Sequence, residues 1–226
     1  MLNDQMETRP PPQAPPEVVQ RRNSLFSLAA HRIGLQTHPD GVKSLVRDKI
    51  AGYLYGIGCP VLFEKPLALI GVPDQTLRSA IDTAAQEGRW VTHAGWGLSP
   101  STPAALDVAT ECAAVACSEF LRRGRCVGWR TTEQVVAAAP RRVVSTDEDL
   151  DTNDEFFDLT FVYQLLVIEG VQLSGSTEHE ERTILRVLNE RMMRRVSTLV
   201  ITSPVAAAGD SPLIQFLLNN YLPVEF

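Results

Sequence analysis

Two stretches constrain this chain more than anything else in it: FVYQLLVIEG, residues 161–170, and STLVITSP, residues 197–204. Neither alternates polar with apolar residues, as a strand with one wet face would. A strand that is apolar on successive residues needs a sheet covered on both faces. Between the two lies STEHEERTILRVLNERMMRR, residues 176–195, which opens on Ser/Thr and acids and carries Ile184, Leu185, Val187 and Leu188 at helical spacing. Strand, helix and strand in that order imply parallel pairing.

The same alternation recurs from Val72 onward. Residues 73–88 (PDQTLRSAIDTAAQEG) read as a helix stopped by Gly88, RWVTHAG (89–95) as a strand, and ATECAAVACSEFLRRG (109–124) as a strong helix stopped by Gly124. RCVGW (125–129) reads as a strand and TTEQVVAAAP (131–140) as a short helix capped by Thr131 or Thr132. SPLIQFLLNNY (211–221) and LPVEF (222–226) read as a last helix and strand. The fold class is therefore α/β, a parallel sheet with helices on both faces, over residues 72–226. Residues 21–71 form a small helical N-terminal region, with one helix in RRNSLFSLAAHRIGLQ, capped by Asn23 or Ser24, and another in DGVKSLVRDKIAGYLYGIG. Five prolines among residues 10–16 mark residues 1–20 as a disordered or polyproline II tail.

Composition adds exclusions. Of the 226 residues, 44% are apolar and 21% charged, ordinary for a soluble globular chain. No apolar run approaches the roughly 18–20 residues that span a bilayer, and the N-terminus lacks the apolar stretch of a signal peptide. A cytoplasmic protein with no membrane partner is expected. A net charge of −6 argues against a generic polyanion binder. Yet Lys43, Lys49 and Lys65 are the only lysines, so 21 basic residues include eighteen arginines. Several are paired, as in Arg122-Arg123, Arg141-Arg142 and Arg194-Arg195, while acids concentrate in STDEDLDTNDEFFD (145–158). Cys59, Cys112, Cys117 and Cys126 show no C-x-x-C spacing and are expected as buried free thiols. No His/Cys set has zinc spacing, DEDLDTNDE lacks the glycine of a calcium loop, and Ser24, Ser99 and Ser101 lack a nucleophile elbow. His93 reads as a core or edge residue. No metal site and no catalytic set are expected.

Two blocks carry a resemblance. LLVIEGVQLSGSTEHEERTILRVLNERMMRRVSTLVITSP (165–204) and ATECAAVACSEFLRRGRCVGWRTTEQVV (109–136) resemble, in order and spacing, the AAA+ ATPases of the DnaC/IstB type, bacterial helicase loaders and transposition helper ATPases. The resemblance covers about residues 72–226 and implies a P-loop NTPase (AAA+)-like core, here without a C-terminal lid. It makes 165–170 the Walker B strand, 197–203 the sensor 1 strand, and 109–124 the helix after the phosphate loop.

A phosphate loop, G-x-x-x-x-G-K-[ST], cradles phosphates with backbone N–H groups, neutralises them with Lys and holds Mg²⁺ with its hydroxyl. Counting back from Gly124 puts Thr110 at the hydroxyl position, preceded by Val108 and Ala109 where Gly and Lys belong. The connection 95–110 reads as lengthened, with Pro100, Pro103 and the acid Asp107. Gly95 and Gly97 within it read as a turn or as what is left of an anion nest. Lys43-Ser44 has Val42 in place of glycine and no strand before it. No Walker A is found. Glu169 matches the Mg²⁺-binding acid, or simply ends a buried strand; Gly170 replaces the acid that polarises water. Thr202-Ser203-Pro204 stands where the family has Thr-Ser-Asn, and no arginine follows Arg195 to serve as a finger.

These losses imply a catalytically inactive, cofactor-free AAA+-like adaptor or structural subunit of a DNA-handling assembly, in helicase loading for replication or in transposition, from a phage or mobile element. The partners implied are a replicative helicase or other AAA+ subunits, DNA, and further copies in an oligomer. Arg122, Arg123, Arg191, Arg194 and Arg195 end helices, where they also complement the dipole, and are candidate DNA or partner contacts. The alternatives are an active ATPase loader with a non-standard phosphate loop, and an unrelated α/β binding protein.

Overall fold

The computed structural model describes residues 15–22, 53–60, 71–89, 95–139, 155–172, 175–203 and 211–226. The Asn23/Ser24 cap, Lys43-Ser44, His93, Arg141-Arg142, the acidic run up to Asp154 and Pro204 lie outside the described residues.

Helix α1 covers 16–22 and α2 Gln75–Glu87. Then come β1 (Gly95–Ser99), α3 (Pro103–Arg122), β2 (Val127–Thr131) and α4 (Thr132–Ala138). A π-helical turn, Asp158–Val162, leads into β3 (Leu165–Val171), α5 (Glu178–Met193), β4 (Ser197–Thr202), α6 (Pro212–Asn220) and β5 (Tyr221–Glu225). The five strands form one sheet in the order β2-β3-β4-β1-β5, with every pairing parallel.

Both faces are covered, as the apolar runs require. Along β3, Leu165 and Val167 join Trp96, Leu98, Leu199 and Ile201 in one core with α2 and α3. Leu166 and Ile168 point the other way, into a second core with α4, α5 and α6. Each such side chain taken out of water contributes about 1.5–3 kcal/mol, so period-two alternation feeds two cores from one strand. Thr177 starts α5 through a capping box with Glu180. Ser211 caps α6, whose first helical residue is Pro212.

Several expectations are corrected. The tail expected to run to residue 20 has become helix by residue 16. Pro16 stands in the first turn, Val18 is only 2% exposed, and Arg21 makes a two-point ion pair with Asp158, 3.0 Å at each contact. That pair engages Asp158, the last acid of the stretch 145–158, whose carboxylate is buried. The third strand starts at Leu165 rather than 161, because Phe161 and Val162 close the π-helical turn. Among the described residues the first strand is Gly95–Ser99, beginning at the last residue of the expected 89–95 strand, whose residues 90–94 lie outside the described residues. Helix α3 begins at Pro103, six residues before the expected start. Thr102 caps it through Ala105 N–H and proline fits the first helical position, where no N–H is needed.

Candidate functional site at the carboxyl edge of the sheet

In an open parallel sheet, ligands sit beyond the carboxyl ends of the strands. Here that edge gathers the ends of β1, β3 and β4, with β4 lying between the other two. It therefore brings together the link after β1, Glu169-Gly170 on β3 and Ser203 after β4.

Gly95 and Gly97 form neither turn nor nest. They lie inside β1, paired to β4 on one side and β5 on the other, so their backbone groups are committed to the sheet. Gly95 is required by close approach: a Cβ there would stand 1.7 Å from the Thr198 carbonyl oxygen and 2.9 Å from Tyr221 Cε1. Ala109 and Thr110 are equally displaced from their expected role. Both sit inside α3, Ala109 fully buried and Thr110 at 9% exposure, and neither borders a phosphate loop.

The segment that does follow β1 is Pro100, Ser101 and Thr102, between the end of β1 and the start of α3. It is three residues long and contains neither glycine nor lysine. An eight-residue phosphate loop does not fit in it. Its groups are also spoken for: Ser101 donates its N–H (3.1 Å) and its hydroxyl (2.7 Å) to the Phe226 carbonyl, and the Thr102 side chain caps α3.

On β3, the Glu169 carboxylate accepts a hydrogen bond from the Trp129 indole N–H at 2.8 Å, and its carbonyl accepts from the Thr132 hydroxyl at 3.1 Å. Gly170 sits in a register shift between β3 and β4, at φ +76°. An acid at this position would have to adopt the left-handed backbone, which disfavours side chains. The bulge thus explains the glycine where the resemblance puts a water-polarising acid. Ser203, half-buried, donates its N–H to the Val171 carbonyl at 2.9 Å.

A cleft of about 30 Å³ beside Gly170 is lined by Thr132, Gln172, Ser176 and the acids Glu133, Glu180 and Glu181. That is far below the several hundred Å³ of an ordinary small-molecule site. The Thr131 hydroxyl holds the Glu133 carboxyl below its usual range, and the Thr177 N–H does the same for Glu180. Glu181 accepts the Leu213 N–H. Carboxylates held ionised would repel a phosphate. Among the described residues, no three or more His, Cys, Asp or Glu side chains converge on a metal position. All four cysteines are free and buried; burial pushes the Cys112 and Cys126 thiols up to about 12.

The candidate contact arginines lie at the opposite edge, where α3 and α5 end. Arg122 pairs with Glu119, Arg123 with Asp82 at 2.5 Å, and Arg194 with Glu190. Arg195 is exposed. Arg191 is corrected outright: it is fully buried and cannot meet DNA or a partner. Its guanidinium donates to Thr198 Oγ1 (2.8 Å) and to the carbonyls of Leu159 (2.6 Å), Tyr163 (3.0 Å) and Ser197 (2.6 Å). Burial pushes its pKa down to about 9, which leaves it charged at neutral pH. The signal for this was in the sequence. Arg191 follows Ile184, Val187 and Leu188 by seven, four and three residues, on the apolar face of α5.

No protein-family model matches the chain, and no curated protein matches its sequence. Solved structures do. A DNA replication initiation factor superposes with a TM-score of 0.53 at 15% identity, over 73% of this chain and 51% of that one. Domain III of the Thermotoga maritima replication initiation protein DnaA gives 0.51 at 12%, over 74% and 69%. Replication initiator DnaA bound to AMPPCP and single-stranded DNA gives 0.50 at 17%, over 73% and 51%. The chain thus spans about half the length of the first of these. At such identities the likeness is one of fold: this chain has an α/β architecture, a parallel five-stranded sheet between helices, that it shares with these replication initiation proteins.

Proposed function

We propose that this protein is a non-hydrolysing AAA+-fold adaptor or structural subunit of a DNA-handling assembly of the helicase-loading or transposition type. The observation that carries the first half is the three-residue link Pro100–Thr102, tied to the Phe226 carbonyl where a phosphate loop would stand. Glu169 engaged by Trp129 and glycine at the left-handed position 170 support it. The DNA-handling half rests on the resemblance to helicase loaders and on the replication initiators that share the fold. Its partners would be a helicase or other AAA+ subunits, and DNA, met through Arg122, Arg123, Arg194 and Arg195.

The test is ATP binding and turnover by the full chain. We expect no hydrolysis and an ATP affinity weaker than about 1 mM. Robust turnover that Glu169→Gln abolishes would replace this reading with an active ATPase using an unusual loop. Recovery of a helicase or another AAA+ subunit with the tagged protein from its host would support the adaptor role.

A further inference from the structure

The described structure holds a second, much larger opening, and it lies at the other edge of the sheet. A cavity of about 490 Å³ is bounded by α1, the end of α2, and the segments leading into β2, β3 and β4. Five arginines line it, Arg22, Arg89, Arg125, Arg194 and Arg195, against one acid, Glu87. Pro15, Val18 and Met193 add apolar wall.

Some of these cations are already engaged. Arg22 donates to the Val162 and Phe161 carbonyls at 2.6 and 3.2 Å, and Arg194 pairs with Glu190 and lies 3.6 Å over the Phe161 ring. The others have donors to spare. Arg89 Nε and Arg125 Nε are buried with no hydrogen-bond partner, although Arg125 reaches the Gln86 carbonyl with its other end. The Arg195 guanidinium has no hydrogen bond or ion pair to any described residue, and only its backbone N–H is engaged, with the Met192 carbonyl. Buried donors left unmade are costly, and they are gathered here in one place. Burial, and to a lesser degree the neighbouring Arg125 charge, lower the Arg22 pKa.

The backbone adds an independent observation. Helices α2, α3 and α5 each end at this edge on a left-handed residue: Gly88 at φ +70°, Gly124 at +73° and Arg195 at +54°. Glycine is the comfortable choice for such a helix end. The third position carries a long cation instead and accepts the strain, the only such non-glycine residue among those described. Strain of this kind persists where a side chain is needed for something other than folding.

We propose that this basal cavity binds a small phosphate-bearing anion, with Arg89, Arg125 and Arg195 as its cationic wall. Guanidinium matches phosphate oxygens two at a time, the volume suits a small molecule, and the apolar wall would seat its uncharged part. The inference is independent of whether the carboxyl edge binds ATP.

The test is calorimetric titration of the full chain with inorganic pyrophosphate in low salt, repeated with sulfate at equal ionic strength. Saturable binding that sulfate does not reproduce is expected, weakened about tenfold by Arg89→Gln or Arg125→Gln. Arg195→Gly is the sharpest variant: relief of the left-handed strain should raise the melting temperature while the affinity falls. It also serves if either glutamine variant fails to fold. No saturable binding, or binding indifferent to all three substitutions, would overturn the proposal. So would a single-stranded oligonucleotide that displaces pyrophosphate and binds more tightly, which would make the cavity a docking point for a nucleic-acid backbone.

Discussion

At the carboxyl edge of the sheet the polar groups answer one another, while the cavity at the amino edge is lined by five arginines and a single acid. Glu169 is held by Trp129, Ser101 by the Phe226 carbonyl and Glu181 by Leu213 N–H. Across the sheet, Arg89 and Arg125 keep buried nitrogens without acceptors. At the carboxyl edge, then, the polar groups described are engaged by internal bonds, and at the amino edge uncommitted guanidinium donors collect. Fold likeness alone does not say which edge binds a ligand, because a sheet order is kept by core packing and a ligand site by a few polar side chains.

Substitutions at four positions break or sharpen this comparison. The largest effect is expected at the amino edge from Arg191→Ala. It orphans three buried carbonyls and leaves a cavity, costing about 3–5 kcal/mol and roughly 10 °C in melting temperature. Arg194→Ala, at a half-exposed pair, should cost about 1 kcal/mol or less. Thermal unfolding of both variants checks the difference; equal losses would mean that Arg191 is no more structural than its neighbour.

An intermediate effect is expected at the carboxyl edge. Glu169→Ala strips the buried Trp129 indole of its acceptor and should cost about 1–3 kcal/mol, whereas Glu169→Gln keeps a carbonyl there and should cost under about 1 kcal/mol. Urea titration separates the two. If both variants match the parent, Glu169 is not held as described and is again open to a ligand. A smaller effect than that of Glu169→Ala belongs to Gly170→Asp. The left-handed backbone should make it cost about 1 kcal/mol, with no ATP turnover gained. A turnover assay on this variant checks directly whether an acid at this position confers ATP turnover.

Much of the fold was legible in the chain. The apolar runs around Leu166 and Leu199 could only be strands with two covered faces. Thr177 with Glu180 marked a helix start, and Gly88 and Gly124 marked helix stops that the structure keeps. The candidate site was less legible. Gly95 and Gly97 carry the residue type of turns, and Pro100 and Pro103 that of a loop, yet the first pair lies in a strand and Pro103 begins a helix. Ser-Thr-Pro at 101–103 is a helix-start signal of cap followed by proline, and it would have shortened the loop on its own. Arg191 was grouped with Arg194 and Arg195 by proximity in the chain, although helical phase separates it from them.

By itself, then, the sequence determined most of the elements and their alternation, because periodicity and local backbone preference are properties of short segments. Only the tertiary structure decided which groups had partners. Whether Gly95 is a turn depends on a carbonyl of β4 pressing against it. Whether Glu169 is free depends on an indole from β2, and whether an arginine is buried or idle depends on carbonyls as distant as Leu159 and Gln86. Those are contacts between residues far apart in the chain, and no local pattern encodes the distance between them.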